Sequence, residues 1–273
     1  MVGFDGTRLA RVAAEQAMSL AEAVGGRVTF VHVMVAPPNE DELGTGEREI
    51  DIVRAARAPD EDTPPDEAQE PMDLEDMRLL CEARHIVCDE DHLYGHSPGL
   101  RLLRRSWLTD LMVIGRGNER GRGSADVGPT TEFLLSELVS PTLVCARQYV
   151  ELRSVLVPYK ASVSGGRALS FAARLCELVN ATLTVLVCDP DRIRAGKALE
   201  AAEDALRAYN IEGDHAVSLS SPLEAVRTAA LQRGTSLIVV PGAHKRYYLL
   251  PWSRNQVLWR ALEVPGCAVI AYP

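Results

Sequence analysis

A run of glycines between residues 115 and 128 offers the residue types best suited to chemistry in this sequence. The run follows the apolar segment Leu111 to Ile114 and leads to an amphipathic segment that begins at about Thr130. This order predicts a strand, a loop and a helix. The unpaired N–H groups and the dipole at a helix N-terminus favour an anion such as phosphate, although such loops also occur as plain connections. The glycines are Gly115, Gly117, Gly121, Gly123 and Gly128.

The same strand, loop and helix pattern returns near the C-terminus. Ile114 corresponds to Val240 and Phe133 corresponds to Trp259, both at an offset of 126 positions. The loop and the helix therefore keep their lengths in both copies, which indicates an internal duplication. The copies differ in the loop itself, where Pro241 stands in place of Gly115.

A second set of matches links the beginnings of the two halves. Ala13 corresponds to Ala168 at an offset of 155, which exceeds the other offset of 126 by 29 positions. We therefore expect an insertion of 29 residues in the first half, near residues 36–70. This stretch is rich in proline and acidic residues, which predicts a solvated loop, with a partner-docking arm as the alternative. The expected domains are residues 1–148, with the insertion, and residues 152–273.

Apolar runs alternate with segments of helical periodicity in both halves. The order in each half is β-α-β-α-β-α-β-α-β, which is typical of a parallel sheet between two layers of helices. We therefore predict an α/β fold with two tandem Rossmann-like domains, each a five-stranded, mostly parallel sheet with helices on both faces. The apolar terminal segments Thr142–Ala146 and Ala268–Tyr272 are expected to pair, because an unpaired apolar edge promotes aggregation. Such pairing would make the two halves an internal pseudo-dimer.

Composition limits the class of protein. The 273 residues carry a formal net charge of −9 with a pI near 5.3, which argues against a nucleic-acid binder with a basic face. No apolar run approaches the roughly 20 residues of a membrane span, and the N-terminus lacks a signal segment. The six cysteines are scattered, which favours reduced thiols over a disulfide framework. We therefore expect a cytoplasmic protein without a membrane span.

Cysteine and histidine residues are concentrated between Cys81 and His96. These side chains can bind zinc, but Cys88 is expected in a short strand over Ile86–Cys88 and His92 in the loop beyond it. That layout lacks the usual spacing of zinc ligands, so we predict ordinary core and surface residues and no metal site. The sequence also shows no nucleophile with a matched base and no carboxylates paired by spacing, so it predicts no catalytic residue.

These features resemble the universal stress protein family in its tandem two-domain form. The resemblance rests on the turn Phe4-Asp5-Gly6-Thr7 after the first strand and on the spacing Gly115-x-x-Asn118-x9-Gly128-Pro129-Thr130. Nucleotide-binding members of the family carry Gly-x-x-Gly-x9-Gly-Ser/Thr and an aspartate after the first strand. The resemblance covers nearly the whole chain and implies domains of the adenine nucleotide alpha hydrolase-like fold.

The resemblance implies a nucleotide site in the first half. Asp5 would meet the adenine, with a backbone contact from Met34 beside it. Gly115 and Gly128 would allow the phosphates to approach the backbone. The nucleotide-binding residues expected from the resemblance are Asp5, Met34, Gly115, Asn118, Gly128 and Thr130.

The sequence departs from the family motif at several positions. Asn118 replaces the second glycine, and Pro129 replaces the Ser/Thr, which removes a hydroxyl and a backbone donor. Thr130, one residue further on, would take over this role. In the second half Lys160 replaces Asp5, so binding is expected in the first half and not in the second. The four motif positions of the second half are occupied by Pro241, His244, Arg254 and Asn255.

Two functions remain open. The first is a stress-response protein that binds ATP or a related adenine nucleotide in its first half, with at most slow ATP hydrolysis. The second is an adaptor or regulatory protein that binds no nucleotide and uses the duplicated fold for protein association. A homo-dimer of the whole chain is compatible with both functions, and nucleic acid is an expected partner in neither. No residue pattern identifies the stress that is sensed, the protein partner or the completeness of the short first strand.

Overall fold

The structure is a computed structural model that describes residues 1–35, 74–95, 97–117, 127–208, 211–242 and 256–273. The insertion predicted near residues 36–70 lies outside the described residues. Seven residues singled out in the sequence also lie outside them: His96, Asn118, Gly121, Gly123, His244, Arg254 and Asn255.

Strands and helices alternate along the first half of the chain, as predicted. Its elements are β1 (Val2–Gly3), α1 (Arg8–Val24), β2 (Arg27–Val35), α2 (Leu74–Ala83), β3 (Val87–Gly95), α3 (Pro98–Ser106), β4 (Met112–Ile114), α4 (Pro129–Ser136) and β5 (Thr142–Val144).

The second half repeats the same order. Its elements are β6 (Ser154–Tyr159), α5 (Val163–Val179), β7 (Thr182–Cys188), α6 (Arg192–Ala208), β8 (Asp214–Ser218), α7 (Pro222–Arg233), β9 (Leu237–Val240), α8 (Gln256–Leu262) and β10 (Ala268–Ala271). Within the described ranges, no helix combines the length and the apolar composition that a bilayer crossing requires.

The ten strands of the described ranges form one sheet in the order β3-β2-β1-β4-β5-β10-β9-β6-β7-β8. The strand pairs within each half are parallel, whereas β5 and β10 pair in antiparallel orientation. Leu143 lies opposite Ile270 in this central pair, so the predicted pairing of the two terminal strands is present. The mostly parallel sheet confirms the predicted α/β class and fits two tandem domains.

Helices cover both faces of the sheet. Val155 and Val157 of β6 belong to one core cluster and Leu156 between them to the other, because successive strand residues point to opposite faces. Residues of α1, α2, α5 and α6 complete the first cluster, and residues of α3, α4, α7 and α8 complete the second. Parallel strands with crossover helices are buried in this way on both sides.

Two expectations about single elements are wrong. The short strand expected over Ile86–Cys88 is β3, which pairs with β2 over nine residues and places His92 opposite His32 rather than in a loop. The helical pattern of α6 predicts that Ile193 faces inward, but this residue is 71% exposed. Ala195 takes the inward position, and at about 100° per residue Ile193 lies about 200° around the helix from it.

Candidate functional site

A cavity of about 420 Å³ lies at the carboxyl ends of β1 and β4. The strand order reverses between these two strands, and ligands of open α/β sheets bind at such switch points. The volume falls within the roughly 300–1,000 Å³ range of small-molecule sites. Four of the predicted site residues line this cavity together: Asp5, Gly115, Gly128 and Thr130. Met34 lies on β2 beside Tyr94 and outside the cavity lining.

Asp5 organises the turn between β1 and α1. Its Oδ1 accepts a hydrogen bond from the Thr7 N–H group at 3.1 Å and another from the Thr7 hydroxyl at 2.7 Å. Thr7 also caps α1, because its Oγ1 accepts from the Ala10 N–H group at 3.2 Å. Gly6 has a φ of 79°, which glycine adopts without strain. The Oδ2 atom of Asp5 accepts no hydrogen bond from a residue that the structure describes, so it is available to a ligand.

The glycines of the loop are held close to other parts of the backbone. A Cβ on Gly115 would lie 2.7 Å from the carbonyl oxygen of Leu9 in α1. A Cβ on Gly128 would lie 2.2 Å from the carbonyl oxygen of Gly117, and Gly117 itself has a φ of 66°. These glycines therefore set the shape of the loop by their own packing, whether or not a phosphate is bound.

The N-terminus of α4 borders the same cavity. Gly128 is its N-cap residue and supplies no side-chain cap, and Pro129 at the first helical position has no N–H group. The first intrahelical bond runs from the Glu132 N–H group to the Gly128 carbonyl at 2.9 Å, so the amides of Thr130 and Thr131 have no acceptor within the helix. The hydroxyl of Thr131 donates to the Gly115 carbonyl at 3.0 Å, which ties the helix to the loop.

The described lining of the cavity is largely apolar. Phe4, Val31, Leu102 and Ile114 contribute to it, and Asp5 is the only ionisable side chain among the described lining residues. Such a wall suits a flat apolar ring with a polar edge that donates to a carboxylate. The amides of Thr130 and Thr131, which have no acceptor within α4, suit an anionic group on the same molecule.

The second half presents different chemistry at the equivalent position. Lys160, at the position of Asp5, is exposed after β6, and the next helix is capped by Ser162, whose Oγ accepts from the Gly165 N–H group at 3.1 Å. Pro241 and Gly242 follow β9 in place of Gly115 and Arg116. The carboxylate acceptor and the Gly115 packing of the first half therefore have no equivalent among these residues.

The described cysteine and histidine residues of the stretch 81–96 lie in α2 (Cys81), in the turn after it (His85) and in β3 (Cys88 and His92). Burial, with a smaller contribution from the neighbouring Cys88, raises the pKa of the Cys81 thiol to about 12. The rings of His92 and His32 lie 6.4 Å apart between centroids on neighbouring strands. Across the described ranges, no three His, Cys, Asp or Glu side chains come together in a group that could hold a metal ion.

Three residues in or beside the site were not among the nucleotide-binding residues expected from the sequence. Thr131 fixes the loop through its hydroxyl, and Gly117 adopts the left-handed conformation, a role that its place in the glycine run could have indicated. Arg116 is 6% exposed and donates hydrogen bonds to carbonyl groups of the second half. No local pattern identifies this role, because the acceptors lie 146 and 151 residues away.

The fold defines a Rossmann-like α/β protein with a cavity of small-molecule size at the switch point of its sheet. Residues 1–146 match the sequence profile of the universal stress protein family. This match covers more than half of the 273 residues, and the chain belongs to the universal stress protein family.

Solved structures resemble the chain over nearly its whole length. A universal stress protein from Archaeoglobus fulgidus is 15% identical with a TM-score of 0.70, and the alignment covers 98% of this chain and 96% of that one. A protein of unknown function from Pseudomonas aeruginosa is 12% identical with a TM-score of 0.68, covering 98% and 90% of the two chains. The cytoplasmic domain of a prokaryotic cation chloride cotransporter is 13% identical with a TM-score of 0.53, covering 98% and 92%. At these identities the similarity concerns the fold, and no curated protein matches the sequence.

Proposed function

We propose that the chain is a tandem universal stress protein that binds ATP or a related adenine nucleotide in its first half, without efficient catalysis. One observation carries this proposal. The carboxylate of Asp5 and the first amides of α4 line the same cavity, so an acceptor for a base and donors for a phosphate are offered to one ligand.

The adenine is recognised by Asp5 and the apolar wall. The free Oδ2 atom accepts a hydrogen bond from the amino group of the base, while Oδ1 remains committed to Thr7. The side chains of Val31 and Leu102 in the cavity wall contact the flat apolar faces of the ring. The hydrogen bonds to Oδ1 thus hold the carboxylate in place, while Oδ2 binds the ligand.

The phosphates are held by the N-terminus of α4. The amides of Thr130 and Thr131 and the helix dipole favour negative charge there. Pro129 removes one donor, and a lost hydrogen bond to a charged group costs about 1.5–3 kcal/mol. The affinity for ATP is therefore about tenfold or more below that of a protein with Ser at this position.

The proposal includes the tandem organisation. Residues 1–148 and 152–273 form two domains, and the antiparallel pairing of β5 with β10 joins them as an internal pseudo-dimer. The repeated element order and the full-length likeness to the Archaeoglobus fulgidus protein support this organisation. The six cysteines are unpaired, which supports a reducing compartment such as the cytoplasm.

Hydrolysis of ATP is slow in this proposal. The described cavity wall has one carboxylate, and that carboxylate is assigned to the base, whereas phosphoryl transfer needs charge positioned on the phosphates and an oriented nucleophile. Rigorously purified protein should therefore turn over far less ATP than the roughly 1–100 per second of kinases. Turnover in that range would show that a catalytic group lies outside the residues considered.

The small molecules bound to the protein test the proposed function directly. Protein purified without added nucleotide is denatured, and the released molecules are identified by chromatography and mass spectrometry. Calorimetry with ATP then measures binding to the emptied protein. Retained adenine nucleotide, or saturable binding of ATP, supports the proposal. Neither retention nor binding at millimolar ATP rejects it in favour of the adaptor that uses the duplicated fold for protein association.

A further inference from the structure

Arg116 connects the candidate nucleotide site to the second half of the chain. Its neighbours Gly115 and Gly117 line the cavity of the first half, while its side chain is buried. The guanidinium Nη1 donates to the Leu262 carbonyl at 2.7 Å, and Nη2 donates to the Cys267 carbonyl at 3.4 Å. The Nε atom donates to the carbonyl of Cys145 at 3.3 Å, at the end of β5. One side chain therefore bridges the seam between β5 and β10.

The surroundings of the guanidinium favour a cation. Leu262 is the last residue of α8, where carbonyl groups lack intrahelical partners and the helix dipole is negative. Arginine can satisfy several carbonyl groups at once, because its planar group carries five N–H donors. A buried charge held in this way is costly to disturb, since its acceptors would lose their partner without gaining water.

A second cavity lies on the other side of Arg116. It has a volume of about 500 Å³ and is lined by Arg116, by residues 146–150 between the two halves and by residues 262–266 before β10. Gly115 and Gly117, on either side of Arg116, thus border the first cavity, whereas Arg116 itself borders the second. A movement of this residue alters both walls.

The position equivalent to Arg116 in the second half carries no side chain. At the offset of 126 positions, Arg116 corresponds to Gly242, which has no side chain and has a φ of 61°. Gly242 therefore cannot send a side chain across the seam as Arg116 does. Arg116 thus fastens to the second half the loop that retains most of the nucleotide motif.

We propose that Arg116 is a positioning residue through which the second half holds the nucleotide loop of the first half in its binding-competent shape. The ligand in this inference rests on the proposed function. The Arg116 carbonyl accepts a hydrogen bond from the Gly128 N–H group at 2.6 Å, and Gly128 is the N-cap of α4. Release of the guanidinium frees the backbone that fixes the start of α4, and with it the amides assigned to phosphate.

Thermodynamic linkage gives the connection a consequence in the opposite direction. If docking of Arg116 on Leu262 and Cys267 raises the affinity for nucleotide, bound nucleotide must strengthen that docking by the same factor. Occupancy of the first half is thereby transmitted to residues 262–267 and to the second cavity. The second half, which lacks the nucleotide motif, therefore both supports the loop of the first half and responds to nucleotide binding there.

Hydrogen exchange on the full chain tests the docking without any ligand. Arg116→Met keeps much of the aliphatic stem and removes the donors, whereas Arg116→Lys keeps the charge with fewer donors. The matched control is Arg153→Met, which removes an exposed arginine that pairs with Glu151. We expect Arg116→Met to speed amide exchange at Gly128 and over residues 262–268 at least tenfold, Arg116→Lys to have a smaller effect, and the control to have none.

Calorimetry with ATP supplies a readout that a merely structural role would not change. We expect Arg116→Met to weaken ATP binding about tenfold at a temperature where thermal unfolding scans show the variant fully folded, and Arg116→Lys to recover part of the loss. Unchanged exchange in both segments overturns the inference whatever ATP does. Faster exchange with unchanged ATP affinity overturns the positioning role.

The two proposals fail separately. If the wild-type protein binds no ATP, the proposed function is rejected, while the exchange comparison alone decides whether Arg116 fastens the loop. If Arg116→Met does not fold, Arg116→Lys and Arg153→Met provide the same comparison.

Discussion

Gly128 and Gly117 meet backbone to backbone, so closely that a Cβ on Gly128 would lie 2.2 Å from the Gly117 carbonyl oxygen. The contact closes the loop between β4 and α4. It therefore determines where the first amides of α4 lie.

Gly128→Ala should destabilise the protein and weaken ATP binding. The new Cβ collides with backbone that cannot rotate away, and overpacking of this kind costs about 1–3 kcal/mol. The control is Gly166→Ala in α5, where an added Cβ meets nothing within 4 Å and a stabilisation of up to about 1 kcal/mol is expected. Urea denaturation measures both changes, and a Gly128→Ala variant as stable as the wild type would contradict the assigned contact.

Asp5→Asn should weaken ATP binding about tenfold or more. Asparagine keeps one oxygen that can accept from Thr7, so the turn before α1 survives. Its NH2 group replaces the second oxygen, so the acceptor assigned to the adenine amino group and the negative charge are both lost. Lys160→Gln, at the equivalent position of the second half, should leave the affinity unchanged. Calorimetry on both variants decides the matter, and the reverse result would place the site in the second half.

Pro129→Ser should tighten ATP binding about tenfold. Serine restores an N–H donor and a hydroxyl at the first position of α4, where the phosphates are expected. Pro222→Ser makes the same change at the first position of α7, a residue that does not line the candidate cavity, and should not affect ATP binding. Equal ATP affinity in the Pro129→Ser and wild-type proteins would remove α4 from the phosphate site.

The protein should lose stability between about pH 9 and pH 12. Burial raises the pKa of the Cys176 and Cys267 thiols from an ordinary value near 9 to about 12, and it also raises the pKa of Cys145. Above pH 9 the unfolded chain releases these protons while the folded protein retains them, so the free energy of unfolding falls as pH rises.

Each such thiol lowers the free energy of unfolding by about 1.4 kcal/mol for every pH unit in this range. Denaturant titrations at pH 8, 10 and 11 measure the slope. Cys145→Ala should show a shallower slope than the wild type, because one of the buried thiols is gone. Identical slopes in the two proteins would show that this thiol ionises equally well when folded.

The sheet was largely predictable from the sequence. Apolar runs such as Thr142–Val144 and Ala268–Ala271 mark buried strands, and a repeat at constant offset requires that the second half copy the first. The length of β3 was not predictable, because an edge strand rich in acidic residues such as Asp89 and Asp91 lacks the apolar signal. Its nine residues are placed by hydrogen bonds to β2 rather than by burial.

The candidate site was predictable in part. Asp5, Gly115, Gly128 and Thr130 line one cavity, as the resemblance to the family implied, although the glycines pack on backbone in addition to bordering the cavity. Arg116 could not be found in this way. Its role depends on carbonyl groups that only the antiparallel joining of the two halves brings within reach.

The antiparallel edge between β5 and β10 joins two segments of one polypeptide. Two separate chains that shared such an edge would dissociate on dilution, whereas a covalent connection fixes the effective concentration of one edge at the other. The pairing of the two edges is therefore independent of protein concentration. The same holds for the hydrogen bonds from Arg116 to the second half. Even at very low concentration in a cell, each copy of the chain therefore keeps its β5 and β10 edges paired.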